Sequence, residues 1–263
     1  MCDQLSIERL VSDVWQHYAA LEDVPFVVRP ALPILFFGDS TAYARSRRKI
    51  ITVGLNPSLH EFPAGAPFSR FVGGEGLGAA QPNAVDPQHY LVLLDRYFRI
   101  DAYKSWFSSF EPILNGLGAS YYGGLAHTVL NTDLCSPLAT DPTWSELDGS
   151  QQALLMRQGV PLWHRLVEYL APDVMLISIA RHLLKQIRFE IVTPWQPIYT
   201  IEQRKDGSVK RHAYTVEAAT IRLGSGKLTR IVFGRAAHKP FGLISNADKV
   251  AIGATIGTEL AEL

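Results

Sequence analysis

K-I-I-T-V-G-L-N-P-S occupies residues 49–58. Residues 50–53 are a short apolar, β-branched run, the composition of a buried strand in a parallel sheet. Gly54 breaks the run, and Asn56-Pro57 is a turn dipeptide. A polar amide therefore follows the carboxyl end of a central strand, the edge at which open α/β sheets bind ligands. Taken alone, the dipeptide serves equally well as a plain turn.

Three other stretches repeat the pattern. A-H-T-V-L-N at 126–131 is an apolar run ending in asparagine, and V-M-L-I-S-I at 174–179 follows Ala171-Pro172-Asp173 as a strand would. T-R-I-V-F at 229–233 leads through Gly234 to His238. Four parallel strands are predicted, and three carry Asn56, Asn131 and His238 at or just beyond their carboxyl ends. Convergent polar groups at one sheet edge make a candidate site.

Helices are predicted between the strands. Residues 4–21 place Ile7, Leu10, Val11, Val14, Trp15 and Tyr18 at helical spacing. Asp86-Pro87 reads as an N-cap followed by proline at the first helical position. Residues 143–170 read as helical with a break near Gly159, and residues 181–189 as a helix after the third strand. The alternation predicts one three-layer α/β/α domain over residues 1–263, with a central four-stranded, mainly parallel sheet. Residues 1–33 are its N-terminal helix and proline-rich connector. K-D-G-S and G-S-G-K turns, flanked by apolar runs, predict an antiparallel hairpin extension near 195–233, with 195–228 as the insertion. It carries Arg204, Lys205, Lys210, Arg211 and His212, which suit a phosphate backbone or the protection of an edge strand.

Composition narrows the class. Hydrophobic residues make up 47% of 263, enough for a substantial core. With 25 basic and 25 acidic residues, any affinity for nucleic acid must come from a local patch. Two cysteines, Cys2 and Cys135, fit a reducing compartment. No His/Cys cluster has metal-ligand spacing, so no metal or cofactor is expected. No signal peptide or membrane-length apolar run is visible, and the expectation is a cytoplasmic monomer.

G-L-N-P-S at 54–58 resembles the first motif of the uracil-DNA glycosylase superfamily. V-L-N-T-D-L-C-S-P-L at 129–138 resembles the strand whose asparagine reads the base, nearest the single-strand-selective and mismatch-specific branches. H-K-P-F-G-L-I-S at 238–245 resembles the second motif, a histidine and a proline-containing loop. The three motifs are in order, and the resemblance spans residues 34–260. One departure is clear: the family usually has proline directly after the histidine, whereas Lys239 intervenes here before Pro240. Iron–sulfur branches of the superfamily need four cysteines and are excluded.

The resemblance implies a glycosylase that hydrolyses the N-glycosidic bond of an extruded uracil-type or modified pyrimidine in DNA. It makes Asn56 and His238 catalytic and Phe68, Asn131, Gly54 and Leu55 base-binding, with Phe71 second to Phe68 as the stacking ring. Pro57, Ser58, Lys239, Phe241 and Leu243 would meet DNA, the last two as an apolar wedge. The partner is DNA, so the protein would work at the nucleoid. Asn56 is an amide and cannot be a general base, but it can position water by accepting a hydrogen bond. A neutral His238 can donate to the departing base. Asp133 is expected on the face opposite Asn131 and takes no role. A desolvated Lys239 would instead attack the sugar as a Schiff-base nucleophile. Two other readings use the same sheet edge: a hydrolase of free nucleosides or nucleotides, and a non-catalytic nucleic-acid-binding module. The glycine-rich loop at 60–81 also suits a bulky modified cytosine, excised in defence against foreign DNA.

Overall fold

The computed structural model describes residues 6–78, 81–203 and 208–260. The protein is α/β, built on a seven-stranded mixed sheet, consistent with the three-layer α/β/α class. Its strands are β1 (Ile50–Gly54), β2 (Ala119–Ser120), β3 (His127–Asp133), β4 (Val174–Ile177), β5 (Glu190–Gln203), β6 (Val209–Arg222) and β7 (Leu228–Phe233). Their order is β2-β3-β1-β4-β7-β6-β5. The pairs β2–β3, β1–β4 and β4–β7 are parallel; β6–β7 and β5–β6 are antiparallel. Among the helices are α1 (Ile7–Ala19), α2 (Pro87–Asp95), α3 (Glu111–Gly116), α4 (Gly149–Leu170) and α5 (Asn246–Glu259). Among the described residues no helix is long and apolar enough to cross a membrane.

The chain divides into two compact units. The first takes in the described residues of 1–44, 54–103 and 130–170, the second those of 45–53, 104–129 and 171–263. The division falls at Gly54 on β1 and at Leu130 on β3.

In the second unit, every residue of β1 and β4 is buried, as their unbroken apolar runs require. The four expected strands appear side by side as β3, β1, β4 and β7. The sheet reaches seven because β2 adds one edge and the β5–β6 ribbon continues the other. That ribbon begins earlier than expected, at Glu190, and each strand has 14 residues. Most of β5 is exposed, and it carries Pro194 and Pro197. An edge strand of this kind lacks the period-two signal by which strands are recognised. The helix expected at 181–189 is a 3-10 turn, Arg181–Gln186, leading into β5. Arg204, Lys205 and the side chain of Lys210 lie outside the described residues; Arg211 and His212 are exposed on β6.

Helices α3 and α5 meet through two glycines. A Cβ on Gly116 would lie 2.2 Å from the Val250 carbonyl oxygen, and one on Gly253 would lie 2.1 Å from that of Ile113. Gly253→Ala is therefore expected to overpack this contact at a cost of about 1–3 kcal/mol. Thermal denaturation should show a loss of about 2–4 °C per kcal/mol. A variant that melts with the wild type would mean the helices part freely.

In the first unit, Ser6 caps α1, its hydroxyl accepting from the Arg9 N–H at 3.2 Å. The expected apolar face is buried, and Asp13 ties α1 to Arg165 of α4 at 2.6 Å. Asp86 caps α2 with Pro87 in its first turn. The break expected near Gly159 is absent: α4 runs through both Gly159 and Pro161. A Cβ on Gly159 would lie 2.1 Å from the Cys135 carbonyl oxygen. This glycine admits the chain after β3 to the helix surface rather than ending the helix.

Candidate active site

The turn after β1 is laced to the chain beyond β3 within the first unit. The Leu134 N–H donates to the Gly54 carbonyl at 3.0 Å, and those of Cys135 and Ser136 to the Leu55 carbonyl at 2.9 and 3.2 Å. The Thr140 N–H donates to the Pro57 carbonyl at 3.3 Å, and the Leu59 N–H returns to Thr140 at 3.1 Å. Two of the three motifs thus form one piece of backbone. Leu55 and Ser58 are half-buried on it and Pro57 is buried.

Asn56 sits between these rungs. Its Nδ2 donates to the Pro57 carbonyl at 2.7 Å, to Thr140 Oγ1 at 2.9 Å and to the Leu138 carbonyl at 3.2 Å. Two of these partners are carbonyls, which only accept, so the amide cannot be turned over. Its Oδ1 makes no hydrogen bond among the described residues. The half-buried side chain is thus a fixed acceptor.

Asn131 is 2% exposed. Its backbone exchanges two hydrogen bonds with Phe37, at 2.9 and 3.0 Å, so the apolar run at 34–37 forms a buried wall with a single bridge to β3. The expectation for Asp133 is corrected. Strand residues two apart share a face, and the Asp133 carboxyl accepts a hydrogen bond from the Asn131 side chain. That carboxyl also rests on Gly54, where a Cβ would lie 2.4 Å from Asp133 Oδ1. The glycine of the first motif is therefore room for an acid. Asp133 keeps some accessible surface, but its carboxyl is enclosed. Burial and the Glu61 charge push its pKa up to about 8, against the pull of Asn131.

Glu61 was missed from sequence. S-L-H-E at 58–61 has the spacing of a helix start, and Ser58 does cap a 3-10 turn, Leu59–Glu61. The Glu61 side chain turns inward, 4% exposed, and accepts from the Tyr97 hydroxyl, which accepts from the Tyr103 N–H at 2.9 Å. Burial raises the Glu61 pKa to about 7, opposed by Tyr97 and Arg70. Cys135 is buried, and burial with the Asp133 charge pushes its thiol up to about 12. Among the described residues, no three His, Cys, Asp or Glu side chains gather as a metal site.

Phe68 is corrected as a stacking platform. The glycine-rich loop wraps its ring: a Cβ on Gly78 would lie 2.5 Å from its tip, and one on Gly74 3.3 Å from its edge. Phe62 meets it edge-on at 6.4 Å. Phe71 is fully buried, stacked on Phe62 at 5.3 Å. Neither ring offers a base an open face.

The third motif lies in the second unit. His238 is exposed at φ +55°, the apex of a tight turn in which the Lys239 N–H donates back to the Ala237 carbonyl at 2.6 Å. Positive-φ turns of this kind are strained. The intervening Lys239 is part of this turn and is exposed, while Pro240 is buried. Phe241 is corrected as a wedge. It is fully buried, edge-on to Phe110 at 6.0 Å, and a Cβ on Gly234 would lie 2.0 Å from its ring. Its N–H donates to Ser178 Oγ at 2.9 Å. Leu243 is 44% exposed.

The desolvated lysine beside this loop is Lys249, not Lys239. Lys249 Nζ donates to the Ser109 carbonyl at 2.8 Å, to Ser109 Oγ at 2.9 Å and to the Pro240 carbonyl at 3.4 Å. Burial and the Lys239 charge lower its pKa to about 8. Its three acceptors make it a brace for the turn.

No family model matches the chain, and a comparison with curated proteins gives no match.

Proposed function

We propose that this protein is a DNA glycosylase that hydrolyses the N-glycosidic bond of an extruded uracil-type or modified pyrimidine and leaves an abasic site. The observation that carries the reading is the Asn56 amide. Its nitrogen is committed to Pro57, Leu138 and Thr140, which fixes its oxygen as the end left to accept. Such a group can hold a water by one of its protons without deprotonating it. That suffices where the bond breaks before water attacks, because the sugar then carries positive charge and needs only a positioned nucleophile. The departing base carries the negative charge, and the role of donor to it falls to His238. Asn131 stands in the family resemblance as the base reader, and a side-chain amide has the donors and acceptor to pair with a pyrimidine edge. Extruding the base costs a few kcal/mol, least when it is mismatched or single-stranded.

The reading is tested with oligonucleotides carrying uracil, mismatched thymine or modified cytosines, bulky ones included, followed by alkaline cleavage. Free nucleosides and mononucleotides are assayed beside them. At least one oligonucleotide should be cleaved at the altered base, with EDTA present as well as absent. Hydrolysis of free nucleotides with no action on DNA would replace the glycosylase with a nucleotide hydrolase. Binding of DNA without turnover would leave a non-catalytic module.

A further inference from the structure

We propose that Asp133 is the positioning residue of Asn131: seated on Gly54, it holds the Asn131 amide in one orientation and so decides which pyrimidine edge the site accepts. The inference rests on the glycosylase reading and deepens it. A side-chain amide is nearly symmetric in shape and opposite in chemistry at its two ends. Turned one way it matches a carbonyl beside an N–H, as in uracil; turned the other way it matches an amino group beside a ring nitrogen, as in cytosine. Asn131 alone therefore does not discriminate, and its neighbour must.

Asp133 is that neighbour by geometry. It is two residues along β3 on the same face, and its carboxyl accepts from the Asn131 side chain. It has little freedom to leave, because its Oδ1 occupies the space a Cβ on Gly54 would take. An ionised carboxyl only accepts, so it draws the amide nitrogen toward itself and turns the oxygen away. A protonated carboxyl can also donate, and then either end of the amide can face it. Selectivity between the two edges should therefore rise as Asp133 ionises. The groups acting on that titration are Glu61, whose charge reaches it from the turn after β1, and Cys135, further along its own segment; Arg70, Tyr97 and Asp101 act through Glu61.

The test compares wild type with Asp133→Asn, which keeps the shape and can both donate and accept. Single-turnover rates are measured on uracil-type and cytosine-type bases in one oligonucleotide, from about pH 6 to about pH 8.5, a span that brackets the shifted carboxyl. The side-chain amide signals of Asn131, assigned by their loss in Asn131→Ala, are followed by 15N NMR. In the wild type the ratio of the two rates should widen with pH. In Asp133→Asn it should collapse by about tenfold or more and lose its pH dependence, because a wrongly faced buried polar pair is what rejects an analogue. The Asn131 signals should move in the variant. An unchanged ratio in a folded variant, or unmoved Asn131 signals, overturns the proposal. If neither protein excises any base, the glycosylase reading fails, and selectivity with it; moved Asn131 signals would then support only the bond between Asn131 and Asp133.

Discussion

His238→Ala is expected to fold as the wild type does and to excise its base about 10²–10³-fold more slowly, the usual cost of losing one donor to a developing anion. Folding should survive because the side chain is exposed and the turn is anchored elsewhere. Phe241 fills the space over Gly234, and Lys249 holds the Pro240 carbonyl. The backbone at φ +55° is strained with either side chain. An altered melting temperature would therefore mark a structural role, and a wild-type single-turnover rate in a folded variant would remove His238 from the chemistry. The slowing should appear in the rate at saturating enzyme, not only in DNA affinity, because the interaction is made as the base leaves.

Stability should fall as pH rises from about 4 to about 8, by a few kcal/mol over that window. The cause is the pair Asp133 and Glu61, whose pKa values lie near 8 and 7 in the folded chain against ordinary values of 3.8 and 4.5. Between those limits the unfolded chain has released both protons and the folded chain has not. The folded state therefore binds more protons, and each unit of rising pH costs it stability until the folded carboxyls ionise. His17 works in the other sense. Burial lowers its pKa from 6.5 to about 4, so its contribution is lost as pH falls through that range and offsets part of the gain. Glu61→Gln keeps an acceptor for the Tyr97 hydroxyl and removes one titration, so it should flatten the profile and melt higher than the wild type near pH 8. The check is melting temperature against pH for both proteins. A wild-type profile flat between about pH 5 and 8 would mean that the carboxyls are ionised in the fold.

The parallel core was legible because buried strands announce themselves. Residues 50–53 and 174–177 are apolar on both faces, and only a covered sheet tolerates that. The cap at Asp86 was legible for the same local reason: its side chain bonds its own backbone two residues on. What failed was long-range or exposed. Most of β5 is exposed, so no alternation marked its start. Gly159 looked like a helix breaker, but the atom it makes room for belongs to Cys135. Lys249 meets Ser109 across 140 residues and carries no local sign of it. Phe68 and Phe241 were given exposed roles through the resemblance, but glycines lie against both rings, Gly74 and Gly78 at Phe68 and Gly234 at Phe241. Those same glycines let the loops close over the rings.

Asn56, Asn131 and His238 were named from sequence as candidates, and the acids Asp133 and Glu61 were given no role. Glu61 was hidden by a helix-start spacing. Asp133 was within reach of sequence reasoning, since alternation along β3 puts it on the face of Asn131. The glycine of the first motif gave no sign that it makes room for that carboxyl.

The most direct measurement is the free base released per abasic site formed when wild-type protein in excess meets the oligonucleotide panel, with borohydride present to trap any covalent intermediate. The expected result is one free pyrimidine for each abasic site and no protein–DNA adduct, which is hydrolysis with water held by Asn56. Release of no base from any oligonucleotide would contradict the glycosylase itself, and a trapped adduct lost in Lys239→Ala would transfer the attack from water to the lysine.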